Sequence, residues 1–276
     1  MKVVANGVEL FYRVEGQGEP ALVMHGGLGA DHTAFINSPF NKLANQLKLI
    51  YYDHRCNGRS ACPGIETMSH DNLAGDAEGL REVLELGEIT VIGHSYGGIT
   101  GLEYALRYQS SLRRLILITT APSLETLKEA RTVAKRRAPE LMPIVDKALD
   151  ADVDTDAEFL KILTDLAPLY CYNFRQFETK LSEATKDILP KAQAFRHSFR
   201  SLMPQYDVRH KLQNITVPVL IICGRHDWIT PVSQSLLMHD KLPNSELVIF
   251  ENSAHWVYIE EQALFLKTVS DWLDRT

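Results

Sequence analysis

Cysteine is scarce in this chain. Its four copies, Cys56, Cys62, Cys171 and Cys223, form no C-x-x-C pair and no spacing that could close around a metal ion. The sequence therefore offers no thiolate metal centre, and it predicts four free thiols in a reducing compartment. Positive charge is also in short supply, with 29 Lys and Arg against 35 Asp and Glu and a net charge of −6. A surface for a polyanion needs the opposite balance, so nucleic acid is excluded as a partner. The one basic cluster, Lys128, Arg131, Lys135, Arg136 and Arg137, follows helical spacing and reads as a solvated helix face. No apolar run reaches the roughly 18 residues of a membrane span. The opening stretch Met1–Gly16 has a hairpin pattern rather than a targeting pattern. Repeats, low-complexity tracts and an H-E-x-x-H metal motif are missing too. The expectation is a cytoplasmic protein that acts on a small molecule, without membrane, metal or cofactor; oligomeric state is not legible.

What is present is an alternation of strand-like and helical runs. Asn6-Gly7 is a tight-turn signal between two short strands. Buried strands are predicted at Ala21–Gly27, Leu47–Asp53, Glu88–Gly93, Arg113–Thr120, Val217–Gly224 and Ser245–Phe250. Ser69 caps a predicted helix with Leu73, Ala77, Leu80 and Leu84 along one face, ended by Gly87. A last helix is expected from about Trp256 to Asp274, carrying Leu264, Phe265, Val269 and Leu273. Continuous apolar strands separated by amphipathic helices imply an α/β fold whose mostly parallel sheet has helices on both faces. The rhythm breaks between 122 and 208, where the pattern is helical and punctuated by Pro139, Pro143, Pro168, Pro190 and Pro204. This stretch reads as a helical cap inserted over the carboxyl ends of the strands, where open α/β sheets bind ligands. The core domain is then 1–121 plus 209–276.

Gly93-His94-Ser95-Tyr96-Gly97 fits G-x-S-x-G, between a buried strand and a helical pattern. A Ser on that turn takes a strained backbone and holds its hydroxyl clear of the sheet; residues two places either side must be small. A serine hydroxyl needs a base, and the base an orienting acid. Asp227 is the acid nearest the end of a later strand. Of the histidines only His239 and His255 follow it; His239 falls within a helical run, whereas His255 lies in a loop past the last strand. Ser95, Asp227 and His255 are thus the predicted catalytic residues. An oxyanion hole is expected from the backbone N–H of Tyr96, after the nucleophile, and of Gly27, in the glycine turn after an earlier strand. That turn, Gly27-Leu28-Gly29, resembles the start of a dinucleotide fingerprint, but His32 stands where its third glycine belongs, and no nucleotide site is read from it.

Five segments in this order carry a resemblance: His25-Gly26-Gly27-Leu28-Gly29, Asp53 to Ser60, Gly93 to Gly98, Gly224 to Pro231, and Ala254-His255. The chain resembles the α/β-hydrolase superfamily, in particular the proline iminopeptidase branch and its esterase and lactonase relatives. The resemblance implies an eight-stranded sheet, a Ser95–His255–Asp227 triad and a cap inserted after the sixth strand. The chain departs from the peptidase branch at Leu28, where that branch has Pro, and at Tyr96, where it has Trp. Cys56 replaces a glycine of the family's D-x-R-G-x-G-x-S motif. Ser at 95, not Asp, argues against epoxide hydrolases and dehalogenases.

The expected activity is hydrolysis of a small or medium apolar ester or lactone through an acyl-enzyme. The alternatives are a proline-iminopeptidase-like aminopeptidase and a non-enzymatic small-molecule receptor on the same fold. Leu28, Tyr170, Phe174, Phe199 and Trp256 are the expected substrate contacts. An aminopeptidase would need a carboxylate at the pocket; Glu178, Glu183 and Asp187 are available there, though they read as helix surface.

Overall fold

The N-terminal hairpin forms as the Asn6-Gly7 pair dictates. Both residues adopt positive φ, +47° and +74°, the geometry of a two-residue turn between β1 (Lys2–Ala5) and β2 (Val8–Glu15). The computed structural model describes residues 1–276. Six further strands follow: β3 (Glu19–Met24), β4 (Leu47–Tyr52), β5 (Ile89–His94), β6 (Leu112–Ile118), β7 (Val219–Gly224) and β8 (Ser245–Phe250). They join the hairpin in one eight-stranded sheet of order β1-β2-β4-β3-β5-β6-β7-β8. The pairs β1/β2 and β2/β4 are antiparallel and every other pair is parallel. From β3 the chain passes to β4 on one side and later to β5 on the other. The carboxyl ends of β3 and β5 therefore flank the switch point where such sheets open a ligand crevice.

The helices are α1 (Thr33–Ile36), α2 (His70–Val83), α3 (Tyr96–Tyr108), α4 (Glu125–Arg137), α5 (Met142–Leu149), α6 (Asp156–Tyr170), α7 (Phe174–Thr185), α8 (Ala192–His197), α9 (Val232–Lys241), α10 (Val257–Glu260) and α11 (Gln262–Leu273). Ser69 caps α2 by accepting from the Asn72 N–H. Alternate residues of the central strands enter opposite cores: Leu115 and Leu117 pack with α2 and α3, Ile116 and Ile118 with α11. All chain between β6 and β7 is helix or loop. It has its own apolar cluster, built from Ala134, Val145, Phe159, Leu166 and Phe195, into which Trp228 and Ile229 reach from the loop after β7. No helix is long and apolar enough to cross a membrane.

Three expectations need correction. Cys56 and Cys62 form a disulfide, leaving only Cys171 and Cys223 as free, buried thiols. Cys56 has φ +62°, so the chain doubles back within six residues and brings the two Cα atoms to 4.2 Å. The last helix is two, α10 and α11, broken at Glu261 because two carboxylates turn back to the loop before them: Glu261 accepts from Asn252 N–H and the Ser253 hydroxyl, Glu260 from Ala254 N–H. Arg137, the last of the basic cluster, is half-buried and donates to the carbonyls of Leu169, Cys171 and His226 rather than facing solvent.

Close backbone approach explains the glycines around Ser95. A Cβ on Gly97 would lie 2.0 Å from the Met24 carbonyl oxygen, and one on Gly93 2.4 Å from that of Gly97. Neither neighbour is a side chain that can swing away. Gly97→Ala should therefore cost at least about 4 kcal/mol, among the largest single-residue effects. A melt should show a midpoint at least about 8 °C below the parent, at roughly 2–4 °C per kcal/mol for a chain near this size, or no soluble protein. A melt within 2 °C of the parent would show that the turn has slack the geometry denies.

Candidate functional site

Ser95 sits between the end of β5 and the start of α3 with φ +55° and ψ −121°, a conformation that costs a non-glycine residue of order 1–3 kcal/mol. The surroundings hold it there. Its N–H donates to Ile118 O at 2.9 Å, and its carbonyl accepts from Gly98 N–H at 2.9 Å and the Thr120 hydroxyl at 2.7 Å. Gly26 lets the β3 loop close in beside it, since a Cβ there would be 2.6 Å from Ser95 Cβ. The first N–H groups of α3 have no intrahelical acceptor and point their positive end at this turn.

Asp227, three residues past β7, is 3% exposed. Its Oδ1 accepts from the N–H groups of Ile229 (2.9 Å) and Thr230 (3.1 Å). Its Oδ2 accepts from the Thr230 hydroxyl (2.7 Å) and from His255 Nδ1 (2.7 Å). All these bonds suit an ionised acceptor, and together they place the His255 proton on Nδ1, leaving Nε2 as a lone pair. The His255 backbone is held as firmly: its carbonyl accepts from His94 Nε2 (3.1 Å) and the Thr119 hydroxyl (3.2 Å), and its N–H donates to Tyr170 O (3.1 Å). Burial, and then the nearby His255, push His94 well below the usual histidine range, so it is a neutral donor.

Ser95 and His255 face one cavity of about 280 Å³. Its floor is made by the loops after β3 and β5, with Gly27 and the histidine pair His94 and His255; its walls come from α6 and α7, with Leu163, Ala167 and Leu181 among them. No hydrogen bond joins Ser95 Oγ to His255 Nε2 here; such contacts commonly tighten only when a substrate is bound. No group of three or more His, Cys, Asp or Glu side chains converges as metal ligands would.

The predicted site residues divide cleanly. Ser95 and His255 share the cavity, and Asp227 is bonded behind His255. Gly27, φ +60°, lines the cavity. The Tyr96 side chain is buried against His70 with ring centroids 6.1 Å apart, leaving only its backbone near the site. Tyr170, Phe174 and Trp256 line the cavity as expected. Leu28 and Phe199 do not: Leu28 is fully buried in the core, and Phe199 packs at a tilt against Phe195, ring centroids 4.8 Å apart, within the insertion. Gly29 of the β3 turn serves packing, since a side chain there would strike Phe195, Phe159 and the Lys191 carbonyl.

Several wall residues were not anticipated. His25 is one: its Nδ1 donates to Gly26 O and its Nε2 accepts from His54 N–H, and burial holds it below the ordinary histidine value. Asp31 is another, and it faces the cavity together with Glu178, one of the three carboxylates the sequence offered for the pocket. Asp31 is buried and already accepts from Thr33 N–H, Leu189 N–H and Arg59. Glu178 is exposed at the rim. His32 and His54 are buried as well; His32 pairs with Asp53. Burial alone would raise the Asp53 carboxyl, but its bonds with His32 bring it down to about 2. The sequence signal for Asp53 was its place at the end of a strand ahead of a glycine turn.

Comparison with known proteins agrees with this architecture. Over 284 aligned residues the chain is 29% identical to a proline iminopeptidase of Saccharolobus solfataricus, covering 98% of this chain and 90% of that one. A solved structure of an alpha/beta fold family hydrolase from Bacillus anthracis superposes with a TM-score of 0.84 at 24% identity, covering 98% of each chain. The enol-lactonase of Burkholderia xenovorans superposes with a TM-score of 0.78 at 23% identity, covering 99% of this chain and all of that one. A family model described as the alpha/beta hydrolase fold matches residues 20–262. The chain therefore belongs to the α/β-hydrolase family of enzymes.

Proposed function

We propose that this hydrolase cleaves small or medium apolar carboxylic esters or lactones by acyl transfer through Ser95. The observation that carries the reading is the 2.7 Å bond between His255 Nδ1 and Asp227 Oδ2, with His255 and Ser95 on the same apolar cavity. His255 Nε2 takes the Ser95 proton as Oγ bonds to the substrate carbonyl carbon. The carbonyl electrons move onto oxygen, which accepts from the N–H groups of Gly27 and Tyr96; losing one such donor typically costs about 10²–10³ in rate. His255 then gives the proton to the leaving oxygen as its bond to carbon breaks. In a second cycle His255 takes a proton from water as its oxygen attacks the ester carbon, then gives that proton to Ser95 Oγ as the acyl–oxygen bond breaks and the acid leaves. No step calls on a metal or organic cofactor.

Substrate size follows from the cavity. At roughly 30 Å³ for a water-sized atom, 280 Å³ takes an acyl chain of modest length. Leu160, Leu163, Leu181 and Ile188 favour an apolar one. A second reading, an aminopeptidase, is favoured by the proline iminopeptidase relative and by Glu178 on the wall. Against it, Asp31 has its oxygens already engaged and Glu178 is exposed at the rim, so neither is a buried, free partner for an amine.

The test is a panel of p-nitrophenyl esters of increasing chain length, simple lactones and prolyl p-nitroanilide. Each methylene that enters the cavity is worth about 0.8 kcal/mol. From acetate to butanoate kcat/KM should therefore rise about tenfold, then level off as the cavity fills. Prolyl anilide as the preferred substrate would overturn the ester reading. Stoichiometric binding of these compounds without turnover would point to a receptor.

A further inference from the structure

One cluster of buried polar groups has no part in the steps above. It lies at Leu169–Tyr172, where α6 gives way to α7. This short segment is hydrogen-bonded to other elements at every residue. Tyr170 O accepts from His255 N–H at 3.1 Å, and Tyr172 N–H donates to Glu260 Oε2 at 2.6 Å. Leu169 O and Cys171 O accept from Arg137 at 3.2 and 3.1 Å. The same two side chains continue into the catalytic loops. Glu260 Oε1 accepts from the N–H of Ala254, the residue before His255, at 2.8 Å. Arg137 donates to the carbonyl of His226, the residue before Asp227.

We propose that Glu260 and Arg137 are positioning residues that clamp the α6–α7 junction to the residues immediately preceding His255 and Asp227, so that the acyl-cavity wall and the imidazole–carboxylate pair are held as one body. The inference rests on the serine-hydrolase reading above. Tyr170 within the junction and Phe174 just past it line the cavity, so any slip there moves the acyl wall and His255 together. A guanidinium is suited to the task because its planar fork can reach several carbonyls at once. Arg137 spends that fork on backbone alone and forms no ion pair, an arrangement that general stabilisation would not call for. Glu260 is 8% exposed, with each oxygen committed to an N–H on a different side of the junction.

The clamp is sensitive to pH in a defined direction. Burial, with the Asp227 charge adding to it, pushes the Glu260 carboxyl up to about 7. The charged and titratable groups around it are Asp227, Arg137 and the Cys171 thiol, which burial keeps protonated. Above that pH both oxygens accept. As pH falls through it, one oxygen takes a proton and one N–H loses its full acceptor. Activity then falls on the acid side as Glu260 takes up its proton and the clamp loosens.

The experiment is a pH profile of p-nitrophenyl butanoate hydrolysis by wild type and Glu260→Gln. Gln keeps one acceptor oxygen and cannot titrate, so it mimics the protonated clamp. Its kcat at pH 8 should fall about tenfold with KM within twofold, short of the 10²-fold that a 1 Å misplacement can cost. The fall in kcat of up to about tenfold that wild type shows as pH drops through about 7 should be missing from the variant. Tyr172→Pro removes the N–H from the other side with Glu260 intact; Cys171 before it is already extended (φ −119°, ψ 150°), as a residue preceding proline should be. It should show the same loss of kcat, and it decides the matter where Glu260→Gln does not fold. An unchanged kcat and an unchanged pH profile in Glu260→Gln would overturn the proposal, as would a rise in KM alone. Phosphonylation of Ser95 by a fluorophosphonate separates the two readings. An unlabelled wild type sinks the hydrolase reading, whereas full but slower labelling of Glu260→Gln is the signature of the clamp.

Discussion

Ser95→Ala should lower kcat for p-nitrophenyl butanoate by about 10⁵–10⁶-fold, the scale on which serine hydrolases lose turnover when the nucleophile is removed. In the proposed mechanism the attacking oxygen is then gone, and what survives is binding plus the N–H groups proposed for the oxyanion, Gly27 and Tyr96, together worth about 10³–10⁴ over water. KM should change little, because the apolar walls from α6 and α7 are intact. The fold should be unaffected. The strained turn is held by backbone bonds to Ile118 O, Gly98 N–H and the Thr120 hydroxyl, none of which uses the Ser95 hydroxyl. A thermal midpoint within about 2 °C of the parent, roughly 1 kcal/mol at most, is therefore part of the expected result. Labelling with a fluorophosphonate, followed by intact mass, should add one adduct to wild type and none to the variant. Retention of even a hundredth of the parental kcat by the purified variant would remove Ser95 from the chemistry.

The parts of this site visible in the sequence are those where backbone geometry restricts residue type. Gly93 and Gly97 announce the Ser95 turn because a Cβ at either position would strike a carbonyl. Asn6-Gly7 announces the hairpin because both residues take positive φ. Asp227 and His255 could be found because strand ends are legible as apolar runs, and parallel strands deliver their carboxyl ends to one edge of the sheet. What was hidden depends on how separate elements meet. Leu28 and Phe199 are apolar residues near the right loops, and only packing decides that one enters the core and the other the interior of the insertion. The Cys56–Cys62 bridge follows from a reversal at Cys56 that no local spacing rule foresees.

Charged residues were the hardest to read. Arg137 ends a run of basic residues on α4, and Glu260 lies in an otherwise helical pattern, so both look like solvated positions. Their burial comes from the junction at Leu169–Tyr172, formed by segments far apart in sequence. The break between α10 and α11 has the same origin: Glu260 and Glu261 turn toward the loop before His255, and the helix cannot run straight through them. The apolar periodicity on both sides of the break is continuous, and it gives no hint of the interruption.

Asp227→Asn should lower kcat by about 10⁴-fold while leaving most of the stability in place, the outcome for a triad acid replaced by its amide. The hydrogen bonds show why. Asp227 Oδ1 faces two obligatory donors, the N–H groups of Ile229 and Thr230. An asparagine must present its carbonyl oxygen there, because its NH₂ would oppose both donors and leave them unsatisfied, at about 1–3 kcal/mol each. The NH₂ is then forced into the place of Oδ2, facing the Thr230 hydroxyl and His255 Nδ1. The hydroxyl can rotate to accept. The imidazole can accept only by moving its proton from Nδ1 to Nε2, and an Nε2 that carries a proton cannot take one from Ser95. The defect is one of tautomer rather than position, so KM should stay within about threefold and the thermal midpoint within about 4 °C, the equivalent of roughly 1–2 kcal/mol. Fluorophosphonate labelling of Ser95 should slow in proportion to kcat and still reach one adduct per chain. Asp227→Ala separates the two effects. It leaves the Ile229 and Thr230 N–H groups without an acceptor and should lose stability as well as turnover. Wild-type turnover in Asp227→Asn, measured on protein that melts normally, would mean that the 2.7 Å bond to His255 serves the fold and not the reaction.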